Sequence, residues 1–231
     1  VYSQRVTDNL RSINHDVEFE FAMRYGNPSI RSGLEALKQR GVTDLLLLPM
    51  FPHYAQATTE SSLKHAHLQL KAMNWSPNLL EMGHFETAEE FIGPLSESIR
   101  PHLTEDTHLL FSYHGLPVSH VKRIDRSKAH CQTVEACCTV KCEANSLCYG
   151  RHCNETTMAV VERLGLKPDQ WSLSYQSRLG PVKWLEPSTT QMVEALVKKG
   201  VKKLAIVAPA FLADGLETLE ELDIGIREEF M

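Results

Sequence analysis

The chain reads as an α/β fold of two lobes, each built on a parallel sheet, with a cleft between them. Three observations carry that reading. Apolar runs of strand length alternate with stretches of helical period along the whole chain, which is the pattern of repeated β-α units. The block at 37–49 resembles the block at 197–209: both run from a helix through a glycine turn into an apolar strand that ends in proline. Four loops rich in proline and aromatic residues follow predicted strands, at 49–54, 112–117, 175–181 and 208–215. Open α/β sheets gather their working residues beyond the carboxyl ends of the strands, where these loops lie.

The elements follow in order. Residues 1–14 have helical period, and 17–23 read as the first strand. A helix over 28–39 is closed by Gly41, and the strand at 44–49 carries Leu45 to Leu48, a run too short for anything but a buried strand. Helix 60–73, strand 78–82 and helix 86–102 complete the first half. Strand 107–112 comes next, then helix 154–165 closed by Gly165, strand 171–176, helix 188–199 closed by Gly200, strand 203–208 and helix 215–230. The repeated block implies two related lobes. Their boundary falls between residues 84 and 104, placed at 95/96, so that 1–95 and 96–231 are the two domains.

Composition narrows the function. With 231 residues, 42% of them hydrophobic, the chain can bury a proper core. A net charge of −5 gives no support for a nucleic-acid partner. No apolar run approaches the roughly 18–20 residues of a membrane span, which leaves peripheral membrane contact open. No signal peptide is evident, so a cytoplasmic protein with reduced thiols is expected. Val1 is not an initiator residue, 1–10 reads as the middle of a helix, and 230–231 stops without a cap. The expectation is an internal fragment of a longer chain.

All six cysteines, Cys131, Cys137, Cys138, Cys142, Cys148 and Cys153, fall within 131–153. Disulfide staples would be expected to tie distant segments, because closing long loops gains the most chain entropy. A short knot of thiols suits a soft metal centre instead. The intervening spacings x5, x3, x5 and x4 lack the paired C-x2-C knuckles of zinc ribbons, although a Cys₄ zinc site remains the rival.

Single residues at the strand-end loops suggest chemistry. His114 closes the segment Phe111-Ser112-Tyr113-His114. Histidine is the side chain suited to move protons near neutral pH, but one placed there more often only hydrogen-bonds a strand end. Glu217 and Glu221 lie four apart, so a helix carries both on one face, where they could bind a hard divalent ion or accept protons. Asp214 fits a helix cap. Glu220, Glu228 and Glu229 fit a solvated face.

Five motifs together resemble the ferrochelatase family: Arg24-Tyr25-Gly26-Asn27-Pro28; Pro52-His53-Tyr54; Phe111 through Pro117; Gln176-Ser177-Arg178 through Trp184-Leu185; and Asp214 through Glu221. They stand in the family's order and approximate spacing from about residue 2 to 230, the cysteine-rich insert at about 118–153 apart. The resemblance implies two Rossmann-like, chelatase-type lobes and an enzyme that inserts Fe²⁺ into protoporphyrin IX to give protohaem. It places the family's first strand before Val1 and its last strand and helix after Met231. It implies His114 as proton acceptor and Glu217 as the metal-side carboxylate, with His114, Glu217 and Glu221 handling the substrate iron. Tyr54, Trp184, Met50, Arg24 and Ser177 become the porphyrin-contacting residues. Many members carry histidine where this chain has Gly215, which leaves His114 without a second histidine.

Some bacterial members resemble the 131–153 segment in holding a [2Fe–2S] cluster. Cys131, Cys138, Cys148 and Cys153 are then the expected ligands, with Cys137 and Cys142 spare. The nearest rival readings are a coproporphyrin ferrochelatase and a cobalt chelatase. A third is an iron–sulfur or zinc sensor that binds a tetrapyrrole without turnover.

Overall fold

The computed structural model describes residues 2–231 and divides them into two compact units. One runs to Phe51 and resumes over Ala55–His84; the other is Pro52–Tyr54 with Phe85–Met231. Both are α/β with parallel sheets.

In the first unit, α1 (Tyr2–Ile13) and α2 (Ile30–Gln39) precede β1 (Asp44–Leu47). A π-turn at Gln56–Glu60 runs into α3 (Ser61–Ala72), which crosses over to β2 (Asn78–Glu81). Ser29 starts α2 by accepting the Ser32 N–H at 3.1 Å, satisfying one of the unpaired donors of the first turn. Gly41, at φ +78°, lets the chain turn back into β1. β1 and β2 pair in parallel, Asp44 opposite Asn78 through Leu47 opposite Glu81. Leu34, Leu37, Leu45 and Leu70 form the buried centre. The strand expected at 17–23 is absent: only Met23 makes an isolated bridge, to Ser29. A strand exists only where another takes its backbone hydrogen bonds, and none among the described residues does so for this segment.

In the second unit, α4 (Glu89–Ile99) leads to β3 (Thr107–His114), and α5 (Val118–Ile124), which the sequence reading lacks, follows. Then come α6 (Tyr149–Leu164), β4 (Trp171–Gln176), α7 (Thr189–Lys198) and β5 (Lys203–Val207). The expected last helix is a π-helix over Glu217–Ile226 that passes into α8 (Arg227–Phe230). The strand order is β4-β3-β5, all parallel. β3 lies in the middle, and every residue of it before His114 is buried. Leu110, Val193, Leu222 and Ile226 join this sheet to α7 and the π-helix. Burying a side chain such as Leu110 contributes about 1.5–3 kcal/mol.

Two boundaries matter for the site. β3 runs two residues beyond the expected 107–112, so His114 is its last strand residue. α6 starts at Tyr149 rather than 154, with Cys148 as its N-cap residue; five residues expected in a loop are helical.

Candidate active site

His114 and Gln176 end their strands side by side as register partners of β3 and β4. The Gly115 N–H donates to the Gln176 carbonyl at 2.7 Å. A Cβ at 115 would lie 2.7 Å from that oxygen and 3.3 Å from the Trp184 ring, so only glycine lets the chain pass. The Tyr149 hydroxyl donates to the His114 carbonyl at 2.8 Å. The His114 backbone is thereby fixed, while its half-buried imidazole packs edge-on against Phe211, centroids 6.0 Å apart. Trp184 is buried, and its indole N–H donates to the Leu179 carbonyl at 3.1 Å.

The π-helix is tied to the same sheet end at two points. The Gln176 side-chain NH₂ donates to the carbonyl of Glu217 at 3.3 Å. One residue on, the Glu221 carboxylate accepts both the Ser177 N–H, at 2.7 Å, and the Ser177 hydroxyl. Ser177 sits at φ +63°, a conformation that costs a non-glycine residue about 1–2 kcal/mol, and this double bond to Glu221 holds it there. Glu221 is thus engaged by a loop, one hydrogen bond on each of its oxygens. The Glu217 carboxylate folds back over Gly215, its Oε2 only 3.0 Å from where a Cβ at 215 would stand. Asp214 accepts the Thr218 hydroxyl at 3.0 Å, while the residue before the π-helix is Leu216 and no side chain caps it there.

The predicted residues sort as follows. His114, Ser177, Trp184, Glu217 and Glu221 stand on elements that hydrogen bonds join at one end of the β4-β3-β5 sheet. Tyr54 belongs to the same unit, and its N–H donates to His152 Nδ1 at 3.2 Å. Arg24 and Met50 belong to the first unit. There Arg24 donates to Ser61 Oγ at 2.9 Å and stacks over Tyr25, 4.5 Å from the ring centre, while Met50 is exposed. Sequence reasoning missed Ser112, Ser174, Gln176 and Thr189, a buried chain of polar side chains under the site. The available signal was polar residues inside otherwise apolar strands. A cavity of about 550 Å³ lies on the flank of β5, lined by Leu204, Ile206, Phe211, Leu222 and Phe230 among others. It includes none of the predicted catalytic, porphyrin-contacting or metal residues and meets the site at Phe211, Asp214 and Thr218.

The ferrochelatase family model matches residues 2–231. Ferrochelatases from Pseudomonas syringae pv. syringae, Bdellovibrio bacteriovorus and Pseudomonas aeruginosa strain PAO1 are 36%, 39% and 37% identical to the chain. Each alignment covers 100% of this chain and 68% of the relative. The chain belongs to the ferrochelatase family. As a ferrochelatase it is a metal-inserting lyase of haem synthesis, placing ferrous iron in protoporphyrin IX. Among the described residues no helix is long and apolar enough to cross a membrane.

The expectation of a [2Fe–2S] cluster on Cys131, Cys138, Cys148 and Cys153 is corrected by the structure. The group of metal-capable side chains assembled among the described residues is His84, Glu86 and His152, with nitrogen and oxygen donors and no thiol. Among the described residues no three of the thiols lie within 4.8 Å of one another. Cys148 caps α6, with its thiolate favoured by a bond from Cys138 and by the Gly150 and Arg151 N–H groups, down to about 6. Cys153 lies a turn further along α6, fully buried beside Tyr149, and burial raises its thiol well above the ordinary value. Burial, then the neighbouring Cys148 and Cys137, push Cys131 up to about 12. The misplaced start of α6 is the physical source of the error, because the helix carries Cys153 into the core.

In that oxygen and nitrogen group, His152 has a settled tautomer. Its Nδ1 accepts from Tyr54, so Nε2 carries the hydrogen, directed at the Ser146 carbonyl at 3.0 Å. The Glu86 carboxylate lies 3.5 Å from the same nitrogen.

Proposed function

We propose that His114 takes the pyrrole protons as iron enters the porphyrin, and that Glu217 is the carboxylate on the iron side. Metallation must strip two N–H protons from the macrocycle and deliver a dehydrated cation, so it needs a base and a hard anionic group at one place. The observation that carries the reading is the tie between them: His114 ends β3, its register partner Gln176 ends β4, and Gln176 holds the residue that bears the second group. An imidazole held by its backbone and braced by Phe211 can shuttle protons without being carried off by the departing charge. Gly215 leaves room for the Glu217 carboxylate, so one acid occupies the space that a larger residue there would claim.

In the second unit Trp184, Tyr54 and Ser177 are porphyrin-contacting residues, and in the first unit Met50 and Arg24 have that role. Buried aromatic faces suit a flat conjugated ring, and the Arg24 guanidinium suits a propionate. Glu221 passes iron toward Glu217 when its bonds to Ser177 open.

The test is anaerobic haem formation from ferrous iron and protoporphyrin, followed by absorbance, with porphyrin binding read by fluorescence. His114→Ala is expected to lose at least about 100-fold in turnover, within the range for removing a general base, while still binding porphyrin. Near-normal turnover removes His114 from its role.

A further inference from the structure

Ser112, Ser174, Gln176 and Thr189 are all buried, and they form one continuous chain of side-chain hydrogen bonds. Two links of that chain join hydroxyl pairs in which either oxygen could donate, so geometry alone leaves their direction free. Its far end decides it. The Glu217 main-chain oxygen can only accept, so the Gln176 amide must turn its NH₂ toward Glu217, at 3.3 Å. The amide oxygen then faces Ser112, which donates to it at 2.6 Å. Having spent its hydrogen, Ser112 accepts from Thr189 at 2.7 Å, and Thr189 accepts from Ser174 at 3.0 Å. The Ser112 and Thr189 hydroxyls thus have one orientation each, while Ser174 also has the Phe111 carbonyl within reach at 3.4 Å.

We infer that Gln176 is a positioning residue for iron insertion, setting the first residue of the π-helix, Glu217, against the strand end that carries His114. This rests on the assignment of Glu217 under Proposed function. Gln176 does not touch the reacting atoms in this scheme; it acts through Glu217. The Glu217 carbonyl gives the amide a single orientation, the buried Ser112 hydroxyl meets its other end, and the backbone of Gln176 is in register with His114. The distance between the base and the iron-side carboxylate is thereby referred to one rigid sheet end. A wide i→i+5 helix has a looser first turn than an α-helix, and a side-chain donor from the sheet holds that turn in place.

The test is a double-mutant cycle on the chain, using Gln176→Met, Glu217→Gln and the pair. Gln176→Met keeps the volume and removes both ends of the link. It is expected to lower kcat by roughly tenfold, the scale of a small misplacement of a reacting group. The porphyrin KM should stay within about twofold. In the Glu217→Gln background, Gln176→Met should cost less than about a further twofold, because both act through one group. Parent-like turnover of Gln176→Met, or losses that multiply in the pair, overturns the inference while leaving Glu217 in place. Full turnover of Glu217→Gln alone overturns the assignment itself and this inference with it. If Gln176→Met fails to fold, Thr189→Val breaks the same chain two links away. It should then lower kcat with KM unchanged, and an unaltered kcat overturns the inference.

Discussion

Two buried polar chains in the second unit are built alike and end differently. In one, the Glu217 carbonyl orients Gln176, then Ser112 and Thr189, with Ser174 at the far end. In the other, the Glu86 carbonyl accepts the Thr156 hydroxyl at 2.8 Å, so Thr156 must in turn accept from His53 Nε2 at 2.9 Å. That fixes the tautomer of His53 and leaves its Nδ1 buried with no partner. Both chains take their direction from a carbonyl that can only accept. The first connects the end of the sheet to the helix bearing Glu217. The second closes inward on a histidine walled by Phe91, Tyr113 and Tyr149. The same bonding logic therefore serves positioning in one place and core structure in the other, and substitutions in the two should separate accordingly.

The largest effect belongs to the end of the first chain. Glu217→Gln should cut haem formation by at least about 100-fold, in line with loss of a group that acts in proton or ion transfer, with a thermal midpoint close to that of the parent. The sharpest contrast comes from matched isosteres. Thr156→Val strands the Glu86 carbonyl and the His53 N–H, and should destabilise by about 2 kcal/mol in denaturant unfolding. Its turnover at 25 °C should match the parent. Thr189→Val removes an equivalent hydroxyl from the other chain, and its loss should appear in turnover. If Thr156→Val slowed haem formation and Thr189→Val did not, the division of labour between the chains would be wrong.

Acid should reveal the second chain. Burial, aided by the neighbouring His152, lowers His53 from 6.5 to about 3. The unfolded chain gains a proton below pH 6.5 that the folded protein refuses until about pH 3. The His53 contribution to stability is therefore complete above 6.5 and declines between 6.5 and 3, by up to about 1.4 kcal/mol per pH unit. Unfolding free energies measured across that window should lose this slope in His53→Gln. An unchanged slope would mean that His53 takes up its proton while folded. The smallest effect is at Gly215. A methyl group at 215 has only the Glu217 carboxylate in its way, at 3.0 Å, so Gly215→Ala should change turnover by about two- to threefold without altering stability.

Much of this was readable before any coordinates. Short apolar stretches between helical segments marked all five strands of the two sheets, although only β3 is buried along nearly its whole length, and Leu46 in the run taken for a buried strand is exposed. The glycines at 41, 165 and 200 marked real turns, each at positive φ. His114 and Glu217 are singled out by the family motifs, and the structure ties together the elements that carry them. The failures have local causes. Segment 17–23 has the composition of a strand, but pairing is a property of two segments and cannot be read from one. The π-helix differs from an α-helix in hydrogen-bond spacing, and nothing in the alternation of Leu216, Leu219 and Leu222 reports that. α6 was placed late because Cys148-Tyr149-Gly150 looks like loop, and the cysteine assignment inherited that error. Gln176 was legible as part of a motif, while its role depended on Thr189 and Ser112 lying beside it, which only the folded chain shows.

The central claim is that a strand-end imidazole removes the porphyrin protons. His114→Gly, which deletes the ring and leaves space where it stood, tests this most directly when assayed anaerobically with protoporphyrin, ferrous iron and increasing free imidazole. The account predicts that the variant binds porphyrin, forms almost no haem alone, and regains haem formation in proportion to unprotonated imidazole. Rapid haem formation without imidazole, or no recovery at any concentration while porphyrin binding is intact, would contradict it.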